Sequence, residues 1–173
     1  MRFFTNNLLL NTRYSLLYIM KNILFVLISL SMCFVACKKD DTNYTELDEQ
    51  LIQDYITENN LTTQVTDEGI HYIIESEGTG TQAEFGSTVT VHYEGFLLNG
   101  NKFDSSYDSG TPATFSLNNV IAGWQLGIPL FKEGGRGTLI IPSGYAYGSS
   151  PPQGSIIPSN AVLLFNIELF DVQ

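Results

Sequence analysis

The chain has 173 residues, length for one domain with tails, and carries 8 Lys and Arg against 18 Asp and Glu, a formal charge of −10. Arg2, Arg13 and Lys21 are the only charges before residue 38, so the remainder holds 5 basic against 18 acidic residues, a net −13. Such a surface repels phosphate backbones and excludes nucleic-acid binding as an expected function, while 11 Phe and 9 Tyr with 15% charged residues exclude wholesale disorder.

In chain order, Met20-Lys21-Asn22 leads into Ile23 to Ala36, which is apolar apart from Ser29 and Ser31. A basic start, a short apolar run and a small residue at its end predict a secretory signal over residues 1–36, beginning at Met1 or at Met20. The run falls short of the roughly 20 apolar residues that a membrane span needs. Phe34-Val35-Ala36-Cys37 resembles a bacterial lipoprotein cleavage site, with Cys37 as the lipid-attachment residue. Acyl chains there would hold the protein on a membrane through its N-terminal lipid. The alternatives are a plain signal peptide or an uncleaved anchor. Lys38-Lys39-Asp40-Asp41 resembles the lysine-plus-acidic export signal of surface lipoproteins in one group of bacteria. The expected location is therefore the cell envelope, lipid-anchored at the outer membrane, on its periplasmic or surface side. Cys33 and Cys37 are the only cysteines, so disulfides, thiolate catalysis and cysteine–zinc sites are excluded from the region beyond them.

Residues 37–64 read as a tether and an amphipathic helix. Leu47, Leu51 and Tyr55 recur every four residues with Ile52 and Ile56 beside them, Thr45 and Asp48 suggest a capping-box variant, and Asn59-Asn60 suggests a stop. A helix this short is marginal alone in water, so its apolar stripe must pack on something. That partner is either the following domain or a second copy of the helix.

Residues 65–173 read as the globular domain. Ile70, Tyr72 and Ile74 alternate with His71 and Glu75; Val89, Val91 and Tyr93 alternate with Thr90, His92 and Glu94. Leu163, Phe165, Ile167 and Leu169 alternate with Asn166 and Glu168, and Thr138 to Ile141 is a fourth β-rich run ended by Pro142. Each alternating strand should have one buried and one wet face. Asn99-Gly100 between Phe96–Leu98 and Asn101–Phe103 predicts a type I′ hairpin, and Val120 to Gly127 predicts one short helix ended by Pro129. The expected class is α+β: a curved antiparallel sheet, a half-barrel, wrapped around one short helix and preceded by an N-terminal helix.

The usual catalytic sets are missing. His71 and His92 both belong to the outward side of strands, without clustered carboxylates, and no metal site or phosphate-binding glycine loop is expected. Aromatics instead crowd the loops. The segments Val91-His92-Tyr93-Glu94-Gly95, Lys102-Phe103-Asp104-Ser105-Ser106, Val120-Ile121 with Gly123-Trp124, Tyr145-Ala146-Tyr147-Gly148, and Ile156-Ile157-Pro158 with Phe165 occur in this order. On these segments the chain resembles the FKBP-type peptidyl-prolyl cis/trans isomerases. The resemblance implies a pocket of Tyr93, Phe103, Asp104, Val120, Ile121, Trp124, Tyr147, Ile157 and Phe165, with Tyr93, Asp104 and Tyr147 as catalytic residues and the rest holding substrate. It implies proline-containing polypeptides as partners, macrolides as possible inhibitors, and assistance to the folding of exported proteins. No cofactor or metal is called for. The alternative is a non-catalytic proline-peptide-binding module or holdase chaperone. Two departures stand out: Ala113 lies where the family commonly has an aromatic wall residue, and the loop 149–155 is one residue longer than in small members, and proline-rich.

Overall fold

A computed structural model describes residues 43–173. The signal expected over 1–36, the lipid site Cys37 and the Lys38–Asp41 export signal lie outside the described residues. Among the described residues no helix is long and apolar enough to cross a membrane.

Helix α1 spans Tyr44–Glu58 and ends at Asn59, whose side chain donates to the Tyr55 carbonyl at 2.8 Å, followed by Asn60 at φ 53°. The stop is where the sequence placed it, but the start is not a capping box. Asn43 takes the N-cap position without a side-chain bond, and Asp48 is spent elsewhere. The buried stripe also differs from the expected one. Leu47 and Leu51 are each 41% exposed, whereas Asp48 and Ile52 are buried and Tyr55 and Ile56 half-buried. The helix is turned so that Asp48 Oδ2 accepts from the Ser143 N–H at 2.8 Å and the Ser143 Oγ at 2.6 Å, while Leu47 and Leu51 stay partly exposed.

Strands β1 (Gln64–Val65), β2 (His71–Ser76), β3 (Thr88–Leu97), β4 (Lys102–Ser105), β5 (Ala113–Ser116), β6 (Arg136–Ile141) and β7 (Leu163–Val172) form one antiparallel sheet. Its order is β1-β2-β6-β7-β3-β4, with β5 also pairing β3. The two ten-residue strands are its spine: Val91 faces Leu169 and Leu97 faces Leu163. The α2 helix (Ala122–Gly127) crosses the inner face and ends at the expected residue, continued by a tight turn at 128–130 around Pro129, but it starts two residues later than expected because Val120 is extended. It lies close because Gly123 and Gly127 have no Cβ to collide with Ile141 and Leu139. The α+β half-barrel with its preceding helix is thus the observed fold.

Two details of the sheet depart from expectation. The expected wet face is wet only in part. Ile140, Val162 and Leu164 on the outer side join Ile52 in a second core, beside Tyr55, Ile56, Phe96 and Leu98. His71, placed outward by alternation, is 3% exposed: α1 covers it, Glu49 Oε2 lies 3.2 Å from its Nε2, and Thr63 Oγ1 lies 3.1 Å from its Nδ1. The hairpin is also not type I′. The Leu97 carbonyl accepts from the Gly100 N–H at 2.9 Å, so Leu98-Asn99 is the turn's centre and only Gly100, at φ +85°, is left-handed.

Candidate active site

At the inner face a hollow of about 240 Å³ opens between β3, β4, β5, β7, α2 and the 143–148 turn. Tyr93 and Phe165 enter it from neighbouring strands, because Gly95 pairs with Phe165 and Tyr93 with Ile167. Phe103 is the extra residue of a bulge, since Gly95 pairs with Asp104 and Phe96 with Lys102. The bulge drops its ring over Gly95, where a Cβ would sit only 2.5 Å from Phe103 Cζ. Phe103 then meets Phe165 edge to face at 5.5 Å.

Trp124 and Phe165, each 4% exposed, are the deepest rings. Trp124 makes edge contacts with Tyr93 at 5.2 Å, Phe165 at 5.3 Å and Phe115 at 5.6 Å. Its indole Nε1 is buried without a hydrogen-bond partner among the described residues. The rings hold one another in place, and the interlocking T-shaped geometry keeps the hollow from collapsing.

The polar groups stand at the mouth. Tyr93 donates its hydroxyl to Asp104 Oδ2 at 2.7 Å, while Asp104 Oδ1 accepts from the Ser105 N–H at 2.9 Å. Burial pushes the Tyr93 phenol above its ordinary pKa, and the Asp104 hydrogen bond and charge push it further. Burial raises the Tyr147 phenol as well, with the Asp104 charge adding to it. Both phenols are therefore protonated donors at neutral pH. Ile121 is the N-cap of α2; its carbonyl accepts from Trp124 N–H at 2.9 Å, and no acceptor among the described residues takes its own N–H. Gln125 Nε2 donates to the Val120 carbonyl at 2.9 Å, fixing the segment that presents that N–H.

Eight of the nine residues expected in the pocket line it: Tyr93, Phe103, Asp104, Val120, Ile121, Trp124, Tyr147 and Phe165. Ile157 does not. It is turned into the inner core, and its neighbour Ile156 is the exposed one. Phe115 and Asn119 line the hollow without having been expected. Phe115 was legible in principle, two residues beyond Ala113 on the same side of β5, and its ring reaches Tyr93 and Trp124. Ala113 itself does not line the hollow. Asn119 sits in a turn of 117–119 that no pattern marks. His92 lies outside the pocket, its Nδ1 2.9 Å from Ser106 Oγ and its ring stacked on Tyr107. Among the described residues no group of three or more His, Cys, Asp or Glu could hold a metal ion.

Residues 79–170 match the family model described as FKBP-type peptidyl-prolyl cis-trans isomerase. The chain is 44% identical over 108 residues to the FKBP-type peptidyl-prolyl cis-trans isomerase FkpA of Buchnera aphidicola, covering 62% of this chain and 42% of that protein. It is 41% identical over 105 residues to FkpA of Escherichia coli, covering 61% of this chain and 38% of that one. The chain thus spans about two-fifths of the length of these relatives. The crystal structure of FkpA from Escherichia coli superposes with a TM-score of 0.66 at 30% identity, covering 92% of this chain and 71% of that one. A peptidyl-prolyl cis-trans isomerase structure from Pseudomonas syringae gives 0.64 at 29% identity, covering 75% and 96%.

Proposed function

Because the chain belongs to the FKBP-type peptidyl-prolyl cis-trans isomerase family, we propose that its ring-lined hollow isomerises X–Pro bonds of polypeptides. Rotation about such a bond breaks amide resonance against a barrier of about 18–20 kcal/mol. The twisted amide has lost its charge separation and is less polar than the planar one. A water-poor aromatic hollow therefore favours the twisted state, and each tenfold of rate needs only about 1.4 kcal/mol of that preference. No nucleophile, metal or cofactor enters the reaction.

The roles follow from position. Trp124 underlies the proline ring, with Tyr93, Phe103, Phe115 and Phe165 as walls. The free N–H of Ile121 holds a substrate carbonyl beside the proline, and the Tyr147 hydroxyl donates to the peptide. Asp104 orients Tyr93 and meets the twisted amide. The observation that carries this reading is the meeting of Trp124, Phe165 and Tyr147 in one hollow with the Tyr93–Asp104 pair at its mouth. A proline-peptide isomerisation assay tests it: Tyr147→Phe with Asp104→Ala should lower kcat/KM by about a hundredfold, one hydrogen bond each. A wild-type rate no faster than the uncatalysed one would leave only a proline-peptide-binding module or holdase. Macrolide inhibitors of the isomerase family are proposed for the same hollow, and their competition with the peptide tests that.

The proposed setting is the bacterial envelope, with lipid on Cys37 and exported proteins as clients, whose proline steps otherwise take tens of seconds. The Phe34-Val35-Ala36-Cys37 sequence supports it. Mass spectrometry of the mature N-terminus should find acylated Cys37; a cleaved but unmodified N-terminus would leave a plain signal peptide, and an uncleaved one would leave an anchor without lipid.

A further inference from the structure

We propose that Asp48, on the far side of the sheet from the pocket, is a positioning residue for Tyr147. The proposal rests on the isomerase reading of the pocket. It concerns a helix that precedes the region matched by the family, which begins at residue 79.

Asp48 is 2% exposed, one turn into α1. A carboxylate withdrawn from water is costly unless hydrogen bonds replace its hydration. Here only one oxygen is served: Oδ2 accepts from the Ser143 N–H at 2.8 Å and the Ser143 Oγ at 2.6 Å, while Oδ1 is buried without a partner among the described residues. As packing alone this is a poor choice, since Ile52 one turn on fills the same interface without any such cost. The group is spent on one contact.

That contact leads straight to the pocket. Ser143 opens the tight turn Ser143–Tyr145, and its carbonyl accepts from the Ala146 N–H at 3.1 Å and the Gly148 N–H at 2.9 Å. These two amides bracket Tyr147, whose ring lines the hollow. Asp48 therefore grips Ser143 by its N–H and hydroxyl, and Ser143 grips the chain on both sides of Tyr147. With α1 lost or turned, the 143–148 turn would keep its sequence but lose the anchor that holds Tyr147 at the hollow. Displacements of about 1 Å at a reacting group are enough to cost large factors in rate.

The test is a mutant cycle in the peptide assay. Asp48→Ala should lower kcat/KM about tenfold in the wild-type background and less than about twofold on top of Tyr147→Phe, because the hydroxyl it places is already gone. Asp48→Asn, whose amide oxygen still accepts from Ser143, should stay within about threefold of wild type. Equal losses in the two backgrounds would make Asp48 a merely structural residue and overturn the proposal. Should Asp48→Ala not fold, Ser143→Ala removes one of the two bonds and carries the same cycle, with a loss of about threefold expected. Hydrogen exchange at the Gly148 amide decides the point without turnover, so a wild-type protein lacking isomerase activity would sink the functional reading alone. Asp48→Ala should speed that exchange about tenfold or more beyond Ile52→Ala, and equal rates in the two variants would overturn the coupling.

Discussion

The two faces of the sheet are built on different principles. The inner face is a set of rings locked edge to face, with Trp124 touching Tyr93, Phe115 and Phe165, and its polar groups kept at the rim. The outer face, under α1, is a small aliphatic core of Ile52, Ile140, Val162 and Leu164 pinned by polar side chains: Asp48 to Ser143 and Glu49 to His71. The inner face holds a hollow open among rings; the outer face packs a helix onto the sheet. Aromatic rings suit the first task because they are stiff and interlock without filling space, whereas branched aliphatics suit the second because they pack it. Mutations in the aliphatic core of the outer face should accordingly cost stability alone, whereas mutations among the rings should cost stability and activity together, with the Asp48–Ser143 contact as the outer-face link to the pocket.

The largest effect is expected at Trp124. Trp124→Ala removes the ring that three others lean on, with a loss of about 3–5 kcal/mol of stability in urea denaturation. In the folded fraction kcat/KM should fall by about a hundredfold or more, since the surface beneath the proline is gone. Retained activity would mean the hollow is not where the bond turns. Next comes Ile52→Ala, which leaves a cavity in the outer core and should cost about 2–4 kcal/mol. Here kcat/KM should stay within about twofold of wild type, measured well below the melting temperature. A loss like that of Trp124→Ala would erase the distinction between the faces.

The same contrast explains what could be read from the sequence. The inner face was legible because strict alternation, as in Leu163, Phe165, Ile167 and Leu169, needs no knowledge of what lies opposite. Eight of the pocket residues followed from the family resemblance, whose segments the strands and α2 bring together. The outer face was not legible. His71 looks like a solvent position until a helix some twenty residues upstream covers it, Asp48 on that helix looks like one until it meets Ser143, and Ile140 and Leu164 look like irregularities in an otherwise clean pattern. In the stripe of α1, Ile52, Tyr55 and Ile56 face the sheet as expected, but Leu47 and Leu51 do not, and Asp48 takes the buried place instead. Phe115 is a different case: no motif carries it, and only its place two residues beyond Ala113 on the same side of β5 marks it.

The smallest expected effect probes the polar pins of the outer face. A hydrogen bond from Gln53 at 2.9 Å, and then the His71 contact, hold the Glu49 carboxyl below the usual carboxylate range against a lesser opposing push from burial. A carboxyl whose folded pKa is depressed contributes stability that is present above its unfolded pKa, about 4.3, and lost as pH falls through the folded value. The Glu49 side chain is 49% exposed, so the contribution is small, under about 0.5 kcal/mol. Urea midpoints between pH 6 and pH 3 should decline slightly less in Glu49→Gln than in wild type, with the divergence opening only below about pH 4.5. The pocket should behave oppositely. Its phenols are held protonated, so kcat/KM should stay level from about pH 7.5 to pH 9.5, and the stability tied to Tyr93 should begin to fail only as pH rises past the ordinary phenol value near 10. An acid-limb change at Glu49 accompanied by loss of activity over the alkaline window would mean that the two faces are not electrostatically separate.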